Sequence, residues 1–185
     1  MQMNDVWLPR VRRELSPNCD ARPAPSEGGE IELVVLHNIS LPPGRFGTGM
    51  VPAFFCNQLD CSRDATLADL SDMRVSAHLF IDRRGVTTQF VALNQRAWHA
   101  GVSSWRGRKS CNDFAIGIEL EGADDCPYTK AQYARLVTVL DWLLSRYPAL
   151  SDDRIVGHSE IAPGRKSDPG PAFDWARLLQ ALRVL

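Results

Sequence analysis

The segment GHSEIAPGRKSDPGPAFDW, residues 157–175, places titratable side chains on a stretch rich in proline and glycine. Three prolines and three glycines in nineteen residues exclude a helix interior and interrupt a strand ladder, so we expect an irregular surface connection. The same segment carries His158, Lys166 and Asp168, whose side chains could bind a metal ion and polarise a carbonyl group. Glu160 is expected to be a solvated loop residue.

One interpretation of these residues is a zinc site. His37 and His158 each stand at the end of a short apolar run, where a strand gives way to irregular chain. The neighbouring prolines reduce the conformational entropy that is lost when the Asp168 carboxylate is fixed in place. With this carboxylate, the two histidines would form the three-ligand zinc site of a hydrolase, in which the fourth position is open. Structural roles remain open: either histidine alone is as compatible with a hydrogen-bonded packing role, and Asp168 could merely cap a turn before Pro169.

Two further residues could perform the acid–base and electrostatic work. Lys166 is separated from Asp168 by one residue, so in an extended segment both side chains point the same way and Lys166 could stabilise an oxyanion. A solvated loop lysine is the commoner role. Glu119 lies on the polar face of AIGIELEG (115–122) and could be the general base, with Glu121 as its nearest rival.

Candidate substrate contacts are more weakly indicated. Trp98 and His99, within AWHAG, suit a groove wall, and Asn38 follows His37 directly. Arg108 belongs to the basic loop SSWRGRKS, usually a solvated surface, which together with Arg74 could hold the carboxylates of an acidic peptide. His78, within SAHLFID, is at least as typical of a packed strand histidine.

The pattern around these residues predicts a mixed α/β domain in which polar loops follow the strands. Apolar or alternating runs predict strands at 31–37, at 115–122 and at 154–158, and a hairpin over 77–91 that turns between Asp82 and Gly85. Helical periodicity covers 129–148, with a capping box from Thr129 to Gln132 and a stop at Pro148. Asp174 can cap a terminal helix that runs through Leu185. Residues 1–30 are expected to form an extended arm packed on a domain of residues 31–185.

Composition sets the broad class. The chain has 185 residues, 44% of them hydrophobic and 23% charged, as expected of one globular domain with a single core. The net charge of −1 gives no broad attraction to nucleic acid or anionic membranes. With no secretory signal and no apolar run near ~20 residues, we expect a cytoplasmic protein that does not cross a membrane, and a monomer. The five cysteines indicate small buried thiols, and a metal site at Cys56 and Cys61 has only weak support from spacing.

Several long motifs resemble a known family. HNISLPPGRFG (37–47), RVSAHLFIDRRG (74–85), RAWHAGVSSWRGR (96–108), CNDFAIGIELEG (111–122) and GHSEIAPGRKSDPGPAFDW (157–175) are similar to the N-acetylmuramoyl-L-alanine amidase type 2 family, in order over residues 31–175. The resemblance extends to the branch that hydrolyses 1,6-anhydro muropeptides during bacterial cell-wall recycling in the cytoplasm. Segment 46–70 matches no motif.

The resemblance implies both a fold and a set of roles. The fold would be a mixed central β-sheet packed by helices, shared with peptidoglycan recognition proteins and phage amidases. Residues 31–185 would form a zinc amidase domain, with Zn2+ bound by His37, His158 and Asp168. Glu119 would activate water, and Lys166 would be the second catalytic residue. The substrate would be a small anhydromuramyl peptide.

Two other functions are weighed against this amidase. Some peptidoglycan recognition proteins have lost the metal ligands and only bind muropeptides, but here every functional position holds the expected residue type. A glycosidase would use Glu119 and Glu121 as paired acid and base. Their spacing of two residues on one strand face puts both carboxylates on the same side of a substrate, whereas glycosidase carboxylates flank the bond that is cleaved.

Overall fold

The computed structural model describes residues 6–184, so the first five residues of the predicted arm and the last residue of the predicted terminal helix lie outside the described residues. The strands are β1 (Arg12–Arg13), β2 (Cys19–Ala21), β3 (Leu33–Ile39), β4 (Leu79–Ile81), β5 (Thr87–Gln89), β6 (Gln95–Ala97), β7 (Ser104–Trp105), β8 (Arg108–Lys109), β9 (Ala115–Glu121) and β10 (Ile155–Gly157). The α-helices are α1 (Met50–Phe55), α2 (Lys130–Arg146), α3 (His158–Ile161) and α4 (Trp175–Leu182). Short 3-10 turns occur at Pro25–Glu27, Cys61–Arg63, Ala65–Leu70, Cys111–Asp113 and Asp152–Arg154.

A mixed sheet of six strands forms the centre, in the order β1-β5-β4-β9-β3-β10. Strands β4, β9, β3 and β10 are mutually parallel, whereas β4 and β5 form the predicted antiparallel hairpin. Because the carboxyl ends of parallel strands meet at one edge, residues that end β3 and follow β10 are brought to the same place. The mixed α/β fold expected from the sequence is confirmed.

The main core lies between one face of this sheet and helices α2 and α4. On β9, Ile116, Ile118 and Leu120 point into this core, as the alternation of AIGIELEG predicts. Helix α2 begins with the predicted capping box, in which the Thr129 hydroxyl accepts from the Gln132 amide and the Gln132 side chain accepts from the Thr129 amide. One sheet face is therefore filled, which leaves the other for the polar residues of β3 and β9.

The opposite face of the sheet is covered by two smaller apolar clusters. One contains Phe54 and Phe55 of α1 packed near Phe80 and Phe90, and the other contains Ala100, Cys111, Phe114 and Ile161. The polar ends of β3 and β9 lie on this face, so their side chains project between loops and not into the helical core.

Residues of the N-terminal segment contact the domain at several points. β1 pairs in parallel with β5, and β2 pairs with β6 in a separate two-stranded sheet. The guanidinium of Arg22 is mostly buried and donates to the carbonyl oxygens of Leu93, Gln95, Asn112, Asp113 and Ala115. Burial lowers the pKa of Arg22 to about 10, so the side chain stays charged while it holds these carbonyls together.

The segment 157–175 differs in part from the expected irregular chain. Its first residues form the single helical turn α3, because the Glu160 carboxylate accepts a hydrogen bond from the Gly157 amide at the start of the turn. Glu160 is exposed, as expected, but its side chain caps this turn. The proline-rich part, from Pro163 to Asp174, is irregular, and Asp174 caps α4 through the Arg177 amide as predicted.

Within residues 6–184, no helix combines the length and the apolar character that crossing a membrane requires.

Candidate active site

Strand register places the first two candidate residues side by side. His37 on β3 is paired with Glu119 on the neighbouring strand β9, so the two side chains project from the same face. On the other side of β3, Gly157 of β10 is level with Leu36, which brings His158 to the level of His37. The candidate site is therefore built on three adjacent strands at their carboxyl ends.

Two histidines and one carboxylate converge at this edge. His37 Nδ1 lies 2.9 Å from His158 Nδ1 and 3.1 Å from Asp168 Oδ2. His158 Nδ1 lies 3.0 Å from the same carboxylate oxygen. The three residues form a group that could hold a metal ion, with one ligand atom from each and all three atoms within 4.8 Å of one another.

The geometry and chemistry of this group fit zinc. Three ligands of a tetrahedral zinc ion, with bonds of about 2.0–2.1 Å, lie about 3.3 Å apart, which is within a few tenths of an ångström of the separations here. His158 Nε2 lies 3.1 Å from the carbonyl oxygen of Ala100, which can only accept a hydrogen bond. The Arg165 guanidinium lies farther from this nitrogen, at 3.4 Å, so the closer carbonyl favours a neutral His158 ring with its hydrogen on Nε2 and the Nδ1 lone pair towards His37 and Asp168.

The loop that carries Asp168 is fixed by backbone hydrogen bonds. The Ser159 amide donates to the Asp168 carbonyl at 3.0 Å, and the Tyr128 hydroxyl donates to the Pro169 carbonyl at 2.7 Å. Gly170 has φ of +81°, and a Cβ at this position would lie 2.2 Å from the Cα of Asp124. Prolines limit the loop's alternatives, while Tyr128 and Gly170 determine where it rests.

The pKa values of two of these residues suit metal binding. Burial lowers the pKa of His37 to about 4, so its ring is neutral near pH 7. Burial alone would raise the pKa of Asp168, but its hydrogen-bonding contacts with the rings of His158 and His37 outweigh burial and hold this pKa well below its usual range. A neutral imidazole and an ionised carboxylate are the forms that coordinate zinc.

Glu119 and Glu121 lie on the same strand face but in different surroundings. Among the described residues, the Glu119 Oε2 atom is buried and has no hydrogen-bond partner. Burial raises the pKa of Glu119 well above its ordinary value, and the nearby Asp168 carboxylate raises it further. Glu121 instead accepts hydrogen bonds from the backbone amides of Gly47 and Arg83. Glu119 is thus free to exchange a proton, whereas Glu121 holds two loops.

Lys166 is exposed at the edge of the cluster. Its backbone amide donates to the Ala162 carbonyl at 3.1 Å, which fixes its position in the chain. Its charge lowers the pKa of Glu119, against the larger raising effects of burial and of Asp168. Within residues 6–184, its side chain makes no hydrogen bond or ion pair, so it can reach a group bound beside Glu119.

The predicted substrate contacts fall into two groups, and the members of the first contact the cluster or are next to its residues in sequence. His99 Nδ1 is 2.9 Å from His37 Nε2, and Trp98 precedes His99 in the chain with a half-buried side chain. Asn38 follows His37, and its amide donates to Asp124 Oδ1 at 2.7 Å.

The second group is bonded elsewhere. Arg74 is exposed and donates to the carbonyl oxygens of Ser71 and Met73 in its own loop. Arg108 stacks on the ring of Phe114 and forms an ion pair with Glu32. Neither guanidinium contacts His37, His158 or Asp168 in the described part of the chain. As substrate contacts, both remain predictions.

Sequence reasoning missed several residues that support the site. Asn112 Oδ1 accepts from the amides of His99 and Ala100, and Arg165 donates to the Ala100 carbonyl, which is also the partner of His158. A Cβ at Gly117 would lie 2.4 Å from the His99 ring. Only Gly117 carried a usable signal, because glycine inside a buried strand often marks a close approach. The others are polar residues in loops without a distinctive pattern.

Comparison with known proteins assigns the family. The sequence profile described as N-acetylmuramoyl-L-alanine amidase matches residues 27–171. The chain belongs to this type 2 amidase family. The family expected from the motifs is therefore confirmed, and the matched range includes all five residues of the predicted metal and catalytic set.

Individual relatives agree with this assignment. The 1,6-anhydro-N-acetylmuramyl-L-alanine amidase AmpD of Citrobacter freundii is 49% identical over 177 residues, which cover 96% of this chain and 92% of the relative. A crystal structure of a selenomethionine AmpD derivative matches with a TM-score of 0.91 and 48% identity, covering 98% of this chain and 99% of that chain. The amidase AmiD of E. coli, in complex with anhydro-N-acetylmuramic acid-L-Ala-D-gamma-Glu-L-Lys, matches with a TM-score of 0.60 and 30% identity, covering 82% of this chain and 57% of that chain.

Proposed function

We propose that this chain is a zinc-dependent amidase that hydrolyses the amide bond between (1,6-anhydro-)N-acetylmuramic acid and L-alanine in muropeptides. The observation that carries the proposal is the convergence of ligand atoms from His37, His158 and Asp168 beside the buried carboxyl of Glu119. The substrate class is supported by the name of the Citrobacter freundii relative and by the anhydromuramyl peptide bound in the E. coli AmiD structure. The setting would be cell-wall recycling in the bacterial cytoplasm, by a monomer that needs no nucleic acid or membrane.

His37, His158 and Asp168 would hold the zinc ion, and their own contacts explain why they are suited to it. Bound there, zinc would supply Lewis acidity, which acidifies water and polarises a carbonyl group. Burial keeps His37 neutral, and the loop contacts of Tyr128 and Ser159 keep the Asp168 carboxylate facing both rings.

Glu119 would act as general base and then as general acid. As the base, its carboxylate accepts a proton from the attacking water, whose oxygen forms a bond to the lactyl carbonyl carbon. As the acid, it returns that proton to the nitrogen of L-alanine when the carbon–nitrogen bond breaks. The products are the anhydro sugar with a free lactyl carboxylate and a stem peptide with a free amino terminus. Because its carboxyl is buried and its Oε2 atom has no hydrogen-bond partner within residues 6–184, Glu119 can hold the proton between the two steps.

Lys166 would stabilise the negative charge that develops on the carbonyl oxygen. Its exposed ammonium group makes no competing ion pair in residues 6–184, so it can donate to this oxygen in the transition state. His99 contacts His37, and Trp98 and Asn38 are sequence neighbours of these two histidines, so the three are the better-placed candidates for substrate contacts. Arg74 and Arg108 would need to leave their present partners to reach a substrate at the cluster.

A product assay tests the amidase and its metal dependence together. The protein is incubated with anhydro-N-acetylmuramyl-tripeptide as purified, after chelation, and after zinc is restored, and the products are identified by mass spectrometry. We expect free tripeptide that disappears on chelation and returns with zinc. Intact substrate in all three samples, with binding still detectable, would reassign the chain as a muropeptide-binding module. Cleavage of a sugar bond would instead indicate a glycosidase.

Two variants separate the ligand and catalytic roles. Asp168→Ala should lose bound zinc and activity together, and stoichiometric zinc with unchanged turnover would show that the ligand set is wrong. Lys166→Ala should keep its zinc and lose roughly 10²-fold in turnover, the loss typical of one oxyanion contact. An unchanged rate in this second variant would remove Lys166 from the mechanism.

A further inference from the structure

We propose that His99 is a positioning residue whose Nδ1 accepts a hydrogen bond from His37 Nε2 and thereby selects the His37 tautomer that can bind a metal. This inference rests on the proposed metal-dependent function and adds a role for a residue that the sequence placed only in a groove wall. It concerns the second nitrogen of a ligand ring, not a direct contact with the substrate.

The two histidine ligands have different kinds of outer partner. His158 Nε2 faces the carbonyl oxygen of Ala100 at 3.1 Å, closer than the Arg165 guanidinium at 3.4 Å, so the backbone oxygen, which accepts and never donates, is the main determinant of the His158 tautomer. His37 Nε2 faces His99 Nδ1 at 2.9 Å, and an imidazole nitrogen either donates or accepts. The His37 tautomer is therefore determined by the state of another side chain.

Only one arrangement of hydrogens leaves His37 able to bind metal. When His37 Nε2 donates to His99, the lone pair of His37 Nδ1 is directed at His158 and Asp168, as coordination requires. When His99 Nδ1 donates instead, a neutral His37 carries its hydrogen on Nδ1, and that hydrogen occupies the position of the metal. In the arrangement that can bind metal, His99 accepts at Nδ1 and therefore carries its own hydrogen on Nε2.

The surroundings hold the His99 ring in place for this purpose. Its backbone amide donates to Asn112 Oδ1 at 3.2 Å, and its ring covers the backbone of Gly117, where a Cβ would lie 2.4 Å from His99 Cγ. The His99 Nε2 atom is buried and has no hydrogen-bond partner among the described residues. Among these residues, the contact with His37 is therefore the hydrogen bond that the His99 ring makes.

A matched pair of substitutions isolates the hydrogen bond from the packing. His99→Asn places an acceptor oxygen near the position of Nδ1, and His99→Leu has nearly the same shape without any acceptor. Zinc affinity of each folded variant and of the wild type is measured by competition with a chelator of known affinity. We expect His99→Leu to bind zinc about 10- to 100-fold more weakly than the wild type, and His99→Asn to recover most of the loss.

The outcomes of this comparison are distinct. Equal losses in both variants would assign the effect to ring packing and overturn the proposal, as would unchanged affinity in both. A wild-type protein that binds no zinc would overturn the proposed function itself, whereas tight wild-type binding with an unaffected His99→Leu would overturn only the role of His99.

A second measurement needs no variant and therefore does not depend on folding. In the zinc-loaded wild type, nitrogen-15 NMR of the histidine side chains reports which ring nitrogen carries the hydrogen. We expect the hydrogen on Nε2 of both His37 and His99. A His99 ring protonated on Nδ1 in the zinc-loaded protein would refute the proposed hydrogen bond directly.

Discussion

A methyl group added at Gly117 should displace His99 and destabilise the protein. The Cβ of Gly117→Ala would lie 2.4 Å from His99 Cγ and 2.6 Å from both Cδ2 and Nδ1. Carbon atoms in contact prefer separations of about 3.5–4.0 Å, so the ring must move by roughly 1 Å. A shift of this size breaks the 2.9 Å contact between His99 Nδ1 and His37 Nε2.

The expected loss of unfolding free energy follows from the tight packing around the His99 ring. Overpacking a filled site by one methyl group costs about 1–3 kcal/mol of unfolding free energy, which in a domain of this size lowers Tm by roughly 2–4 °C for each kcal/mol. The assay is chemical denaturation in excess chelator, so that metal binding does not contribute. Gly117→Ala should also weaken zinc binding in a separate titration, because it disturbs the partner of His37.

The control is Gly117→Ala made in a protein that lacks the His99 ring. In a His99→Ala background the clash is absent, and replacing glycine by alanine inside a strand should stabilise the protein by about 0.5–1 kcal/mol. The cost of Gly117→Ala should therefore change sign between the two backgrounds, with a coupling energy of about 1.5–4 kcal/mol. Costs that agree within about 0.5 kcal/mol in both backgrounds would refute the steric reasoning.

Other predictions concern neighbouring residues. Glu119→Gln should keep its zinc and lose about 10²- to 10⁴-fold in turnover. A variant that turns over at the wild-type rate would exclude Glu119 as the base. Glu121→Gln should instead lose about 1–3 kcal/mol of stability with turnover retained, because an amide cannot accept from both backbone amides; a rate loss matching that of Glu119→Gln would contradict the separation of their roles. Burial lowers the pKa of His78 from 6.5 to about 3. As the pH falls, the unfolded chain therefore takes up a proton at this residue before the native protein does, and the stability that neutral His78 contributes is lost below about pH 6.5. Between pH 7.5 and 5.5 we expect the wild type to lose about 1.4 kcal/mol more than His78→Asn, and equal losses would show that His78 does not titrate in this way. Arg22→Met should cost at least about 3 kcal/mol in denaturant unfolding, because it leaves buried carbonyls without their charged donor, whereas an unchanged midpoint would show that these hydrogen bonds contribute little.

The regular elements were predictable where local pattern and burial agree. Helix α2 is amphipathic and has its capping box at the predicted residues, and the hairpin turns between Asp82 and Gly85 as expected. The alternation of β9 also correctly separated Ile118, in the core, from Glu119, at the site. These features depend on contacts between residues near in sequence, which the periodicity of the chain reports directly.

The helical turn α3 was missed for a local reason. The prolines of segment 157–175 begin only at Pro163, and the capping contact of Glu160 with the Gly157 amide stabilises one turn before them. Averaging proline and glycine over the whole segment concealed this difference between its two halves.

The residue types available for chemistry could be read from the amino-acid sequence, and its motifs indicated how they would be used. His37, His158 and Asp168 were predicted as ligands from their types and from their positions where strands give way to irregular chain, and the structure brings the three together. The resemblance also favoured Glu119 over Glu121 as the general base, whereas spacing alone could not separate two carboxylates on one strand face.

How these groups differ from their neighbours depends on the folded arrangement of the chain. Glu121 is held by two amides that are distant in sequence, while the buried Oε2 atom of Glu119 has no partner among the described residues, and this contrast changes the chemistry of two identical side chains. The position of His99 behind His37 likewise depends on the absence of a side chain at Gly117. Proton position and pKa depend on burial and on partners brought together by folding, and no local pattern in the chain records those distances.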